Sequence, residues 1–125
     1  MILGIGIDLV EVEEIKKVIE RWGERFLGRV YTEREREYCE GRGCPYLTFA
    51  GRFAAKEAFF KAMGTGWSGG MRWRDVEVLN ASNGRPEVLL HGRAAQAAED
   101  KGVKAIHVSI SHDRDHAVAV VMLEG

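Results

Sequence analysis

A chain of 125 residues, 46% hydrophobic and 30% charged, has the size and composition of one soluble globular domain, expected to span 1–125 as a single unit. Its formal net charge of −1 excludes bulk attraction to a nucleic-acid backbone, which calls for a clear excess of Lys and Arg, so any anion has to be recognised locally. Cys39 and Cys44 are too few for a four-ligand zinc site and read as cytosolic thiols; Asp8 interrupts an apolar N-terminus with no charged leader, so neither signal peptide nor membrane span is expected.

Ile2 to Val10 is apolar and β-branched with Gly4 and Gly6 inside it, which predicts a buried strand closely approached by another backbone. A dinucleotide fingerprint would need a third glycine where Leu9 stands, so a Rossmann reading fails. From Glu11 to Trp22, Val12, Ile15, Val18, Ile19 and Trp22 recur at helical spacing, and Gly23 ends or bends this amphipathic helix. Phe26, Leu27, Val30 and Tyr31 continue the apolar pattern, and Arg21, Arg25 and Arg29 recur every four residues and share one side if the helix persists. Thr32 and Glu35 have the spacing of a capping box and open a charged helix, Glu33 to Glu40, followed by a loop at Gly41, Gly43 and Pro45.

Tyr46 to Met63 predicts a long central helix, with Gly64 placed for a left-handed C-cap and four glycines between 64 and 70 forming a loop. Val76 to Asn80 and Glu87 to Leu90 read as strands joined at Asn83-Gly84. Arg93 to Lys101 is an alanine-rich helix stopped by Gly102. Ile106, Val108 and Ile110 alternate with His107, Ser109 and Ser111; beyond a turn from His112 to His116, Val118, Val120 and Met122 alternate in the same way. Two hairpins with several helices place the chain in the α+β class, and Trp22, Trp67 and Trp73 read as core residues or as subunit or partner contacts, with the core expected.

On the central helix Arg52, Lys56 and Phe60 stack at i, i+4 spacing, as do Phe53, Glu57 and Lys61, so that one carboxylate is expected among three cations. Glu57 and Lys61 read either as an ordinary surface pair or, with Asp8 of the first strand, as a Mg²⁺ and phosphate site, because Mg²⁺ takes one or two carboxylates and completes its shell with water and phosphate. Asp8 itself reads as a helix-capping strand-end residue or as a carboxylate that must be paired or metal-bound, since apolar residues flank it. Gly64-Thr65-Gly66 lacks the Lys-Ser/Thr of a Walker A loop and is a flexible connection or a backbone phosphate nest. His112 continues the face of Ile106, Val108 and Ile110, which makes it a core-edge histidine or, with Ser109 and Ser111, an anion contact. No Gly-x-Ser-x-Gly elbow supports a serine hydrolase, and the arginines at 21, 25 and 29 are a solvated face or a dock for an acidic partner.

Three blocks in order carry a family resemblance: Gly4-Ile5-Gly6-Ile7-Asp8, then Phe49 to Ala58 with Lys61-Ala62 and Gly64-Thr65-Gly66, then Val108-Ser109-Ile110-Ser111-His112. Together they resemble the holo-[acyl-carrier-protein] synthases, small single-domain 4′-phosphopantetheinyl transferases. The resemblance implies that fold, an antiparallel sheet with packed helices and one long central helix. It also implies transfer of phosphopantetheine from coenzyme A to a serine of apo acyl carrier protein, release of adenosine 3′,5′-bisphosphate, a part in fatty acid biosynthesis, a cytoplasmic location and a homotrimer. Residue by residue, Asp8 and Glu57 match the Mg²⁺ ligands and, with Lys61, the catalytic set; Arg52, Lys61, Gly64, Thr65, Gly66 and His112 match contacts to coenzyme A. Arg25 and Phe26 match positions that dock the carrier, with Arg21 and Arg29 alongside them; Glu14 departs from the basic residue frequent in relatives. Other readings of the same residues are a hydrolase of the coenzyme A pyrophosphate and a non-catalytic binding module.

Overall fold

A computed structural model of the chain describes residues 1–64 and 70–125. In order it has β1 (Ile2–Glu11), α1 (Val12–Trp22), α2 (Glu24–Val30), α3 (Glu33–Glu40), α4 (Pro45–Met63), a 3₁₀ turn (Trp73–Asp75), β2 (Val76–Asn80), β3 (Pro86–Leu90), α5 (Gly92–Lys101), β4 (Ala105–His112) and β5 (His116–Glu124). The strands form two antiparallel sheets, β1-β5-β4 and β2-β3, and α4 packs against both β1 and β5. This is the α+β arrangement expected, with both hairpins present.

Helix α4 is the axis of the core because it is apolar almost all round: twelve of its residues are buried, among them Phe49, Ala54, Ala58, Phe59 and Met63. Gly64 closes it in the left-handed conformation at φ 80°, donating to the Phe60 and Lys61 carbonyls. The glycines of β1 explain how a strand and this helix come together. A methyl at Gly4 or Gly6 would collide with the carbonyl oxygens of Ala62 or Ala58, so glycine on the strand and alanine on the helix allow backbone-to-backbone contact.

That contact corrects two expectations about the sheet. β1 is buried on one face only: Gly6 and Val10 face the core, whereas Ile5, Ile7 and Leu9 are 57%, 60% and 66% exposed. On β5 the buried set is Ala117, Ala119, Val121 and Leu123, not Val118, Val120 and Met122. Both strands are apolar on both faces, and close approach to α4 requires the small residues, so the larger ones turn outward. Register pairs Ile5 with Met122, Ile7 with Val120 and Leu9 with Val118, leaving a continuous apolar strip on the open side of the sheet.

Local signals held elsewhere. Thr32 caps α3 reciprocally with Glu35, Gly23 at φ 50° separates α1 from α2, and Gly102 at φ 87° ends α5. In the β2–β3 loop Gly84 alone takes the positive φ, while Asn83 Oδ1 accepts from the Arg85 amide at 2.9 Å.

Candidate active site

The glycine–alanine contact determines where Asp8 goes. Two residues beyond Gly6 on the same strand face, it stands beside the turn of α4 that carries Glu57 and Lys61. Lys61 Nζ donates to Asp8 Oδ1 at 3.0 Å and to the Ile7 carbonyl at 3.0 Å, so the lysine is fixed to the strand although half its side chain remains exposed. Asp8 is only 16% exposed, and Lys61 is the partner that its flanking residues required. Glu57 is half-buried. Burial, and then the negative charge of Asp8, hold its carboxyl above the ordinary value against the opposing pull of Lys61. Asp8, Glu57 and Lys61 thus converge from two elements, as the sequence predicts.

The other two cations do not join them. Lys56 has no exposed surface; its Nζ donates to Glu35 Oε1 at 2.8 Å, to the Trp73 carbonyl at 3.1 Å and to the Val76 carbonyl. The expectation of three cations around Glu57 is therefore corrected to Lys61 alone, because successive helical residues lie about 100° apart and Lys56 faces α3 and β2. Arg52 is also buried: its guanidinium lies 4.4 Å from the Tyr38 ring centre and hydrogen-bonds Asn80 Oδ1, and its buried Nε has no hydrogen-bond partner among the described residues.

Arg52 and His112 do share a cleft. Together with Tyr38, Arg42, Thr48 and Ile110 they line a cleft of about 190 Å³ between the start of α4 and the end of β4. His112 is exposed, not a satisfied core-edge histidine, because the core face of β4 runs out at the turn. That turn is organised by Asp113, whose Oδ1 accepts from the Asp115 and His116 amides at 2.8 and 2.7 Å. Thr48 lies one turn before Arg52 on α4, but Arg42 comes from the loop between α3 and α4 and Asn80 from β2, and no spacing in the chain could have joined those two to Arg52. Of the glycine loop, Gly64 is in place; Thr65, Gly66 and Trp67 lie outside the described residues.

On α1 and α2, Arg21 and Arg25 flank the break at Gly23 and lie 5.1 and 5.8 Å from the ring centre of Trp22. Trp22 is 46% exposed, which corrects its expected place in the core. Phe26 is partly buried, its ring centre 6.0 Å from that of Tyr31 and 6.2 Å from that of Phe53. Arg29 lines a wider cleft with Arg72, Trp73 and Arg74. Trp73 is only partly buried, stacked on Phe53 at 4.9 Å.

A model of the 4′-phosphopantetheinyl transferase superfamily matches residues 4–121. A holo-[acyl-carrier-protein] synthase of Koribacter versatilis is 52% identical over 124 residues, 99% of each chain, and that of Solibacter usitatus is 50% identical over the same span. The chain belongs to the holo-[acyl-carrier-protein] synthase family. Solved structures of the family agree: the Neisseria meningitidis synthase superposes with a TM-score of 0.92 at 34% identity, covering 100% of both chains. The Helicobacter pylori synthase, solved in complex with coenzyme A, superposes at 0.85 with 29% identity over 96% of this chain and 99% of its own.

A family member that handles a pyrophosphate with a metal needs oxygen ligands that keep coordination positions open. Among the described residues no cluster of three or more His, Cys, Asp or Glu side chains forms. Two carboxylates, one of them destabilised by the other, are the smaller donor set that suits Mg²⁺, which retains several waters and substrate oxygens.

Proposed function

We propose that this chain transfers 4′-phosphopantetheine from coenzyme A to a serine of apo acyl carrier protein, in a Mg²⁺-dependent reaction that releases adenosine 3′,5′-bisphosphate. The observation that carries the reading is the convergence of Asp8, Glu57 and Lys61 on one side of the β1–α4 contact. Membership of the synthase family supports it.

Asp8 and Glu57 would hold Mg²⁺, which when bound neutralises the pyrophosphate and stabilises charge on the leaving phosphate. The remaining chemistry belongs to the chain. The carrier serine Oγ attacks the phosphorus bearing the pantetheine, the bond from that phosphorus to the bridging oxygen breaks, and adenosine 3′,5′-bisphosphate leaves. Glu57, or a water held by it, takes the serine proton. Lys61, held between Asp8 and the Ile7 carbonyl, presents its ammonium to the phosphates without having to be ordered first. Arg52 and His112, with the Gly64-Thr65-Gly66 loop, contact the coenzyme; Arg21, Arg25, Phe26 and Arg29 receive the carrier.

The chain acts as one domain in the cytoplasm, in support of fatty acid biosynthesis, and assembles as a homotrimer. The strip formed by Ile5, Ile7, Leu9, Val118, Val120 and Met122 supports self-association, since exposed contiguous apolar surface on a sheet marks a contact. No helix among the described residues is long and apolar enough to cross a membrane.

Intact-mass spectrometry of apo carrier protein mixed with coenzyme A, Mg²⁺ and this chain tests the reading. The expected product is carrier heavier by one phosphopantetheine group; hydrolysis of coenzyme A, or binding without a mass change, sinks it. Glu57→Gln is expected to lower turnover by about 10²–10³-fold. Near-normal turnover in that variant removes Glu57 from the mechanism.

A further inference from the structure

The wide cleft beside the site, of about 640 Å³, lies where α2 packs against the 3₁₀ turn and is lined by Gly28, Arg29, Met71, Arg72, Trp73 and Arg74. It borders the reaction centre: Trp73 stacks on Phe53 at 4.9 Å, and Phe53 precedes Glu57 by one turn of α4. Three guanidinium groups surround it in a chain whose net charge is −1. Asp75 partly compensates Arg72, at 3.3 Å from Nη2, but Arg29 and Arg74 form no ion pair among the described residues, and both are exposed. Like charges gathered without partners repel, so this concentration has a cost in the free chain that an anionic occupant relieves.

We infer that this arginine-lined cleft receives an acidic face of the carrier protein, and that Arg74 adds to carrier affinity from outside the α1–α2 surface. Three observations favour a protein surface. The cleft is too wide for a single phosphate, and its Trp73 wall offers the aromatic face typical of protein contacts. Its Arg29 also follows Arg25 by four residues on α2, one helical turn from the basic residue beside Trp22. Arg72 and Arg74 escape the four-residue spacing of the other arginines, because they come from the segment before β2 and only the fold brings them opposite α2.

The inference rests on the transferase reading, and one assay separates the two. Apparent KM values for apo acyl carrier protein and for coenzyme A are measured by intact mass for the wild type and for Arg74→Glu, Arg74→Ala and Arg74→Lys. Arg74→Glu is expected to raise carrier KM about five- to tenfold at low ionic strength, an effect that shrinks as salt is added, while coenzyme A KM stays put. Arg74→Ala shifts carrier KM in the same direction by less, and Arg74→Lys restores most of it. Arg74→Ala only truncates an exposed side chain and carries the test if the charge reversal fails to fold. Unchanged carrier KM in both variants overturns the inference and leaves the transferase reading intact; so does a rise confined to coenzyme A KM, which would make the cleft a nucleotide site. Failure of the wild type to modify any carrier overturns the transferase reading itself.

Discussion

Lys56 and Glu57 are neighbours in the chain and opposites in the fold. Lys56 is fully enclosed and each hydrogen of its ammonium has an acceptor, in Glu35 and the carbonyls of Trp73 and Val76. Glu35 in turn accepts from the Thr32 and Val78 amides, both at 2.8 Å, so a single buried pair ties α3, α4, β2 and the 3₁₀ turn together. Burial lowers the Lys56 pKa and the Glu35 charge opposes that shift. Glu57 faces the other way, half-exposed, repelled by Asp8 and only partly compensated by Lys61, whose ammonium is bonded to Asp8 and the Ile7 carbonyl. A charge whose bonding is complete holds structure, whereas carboxylates left short of positive charge are what a cation or a phosphate–metal unit requires.

Removing Lys56 should produce the largest effect. Lys56→Met leaves Glu35 charged and buried without its cation, a loss expected to cost about 3–5 kcal/mol in urea unfolding. A second change, Glu35→Gln, should recover part of it, because the stranded charge is removed while the side chain can still accept from the Thr32 and Val78 amides. A loss below about 1 kcal/mol in the single variant would mean that the pair is not what holds the four elements, and the contrast with Glu57 would break.

Glu57→Gln should move stability the other way and by less. The folded-state pKa of Glu57 lies above its unfolded value, so the fold favours the protonated form, and stability is lost as pH rises through the folded value. At pH 7 to 8 and without metal, the wild type therefore carries a penalty that the glutamine variant lacks, and the variant should melt slightly higher. The difference should fade below about pH 4, where both side chains are neutral. Mg²⁺ added at neutral pH should raise the melting temperature of the wild type more than that of the variant. A variant that melts lower than the wild type at every pH would assign Glu57 to the structural side of the comparison.

Most of this contrast was hidden from the sequence for a definable reason. Periodicity placed both residues on one helix and set them on different i, i+4 rows, and the Gly-Ile-Gly-Ile-Asp block supplied the partner strand. Spacing cannot reveal which row faces the core when the helix is apolar nearly all round, as α4 is, so spacing alone groups Lys56 with Lys61. The same ambiguity reversed the faces of β5: both parities are apolar, and only the backbone contact with α4 selects the alanine side. Local rules were sufficient where a local rule was the whole cause, as at the Thr32–Glu35 box, Gly64 and Gly102. Convergence of Arg42, Asn80 and His112 around Arg52, or of Arg72 and Arg74 opposite Arg29, is a property of the packed fold.

The two cysteines repeat the comparison in thiol chemistry and give its smallest test. Cys39 lies on the enclosed side, where burial pushes its pKa to about 12; Arg52 and Lys56 oppose that shift, and Glu35 and Glu40 add to it. Cys44 is exposed immediately before α4. At pH 8 only about one Cys39 in ten thousand would be thiolate, and that one is shielded, so a thiol reagent should modify one cysteine per native chain and two after unfolding. Cys44→Ser should abolish the native reaction and leave the unfolding midpoint unchanged. In Lys56→Met, where the lysine and its partners no longer hold the elements around Cys39, the second thiol should become reactive under native conditions through local opening. Persistent protection of Cys39 in that variant would place the enclosure with the aromatic packing of Tyr31 and Phe49 instead of with the buried pair.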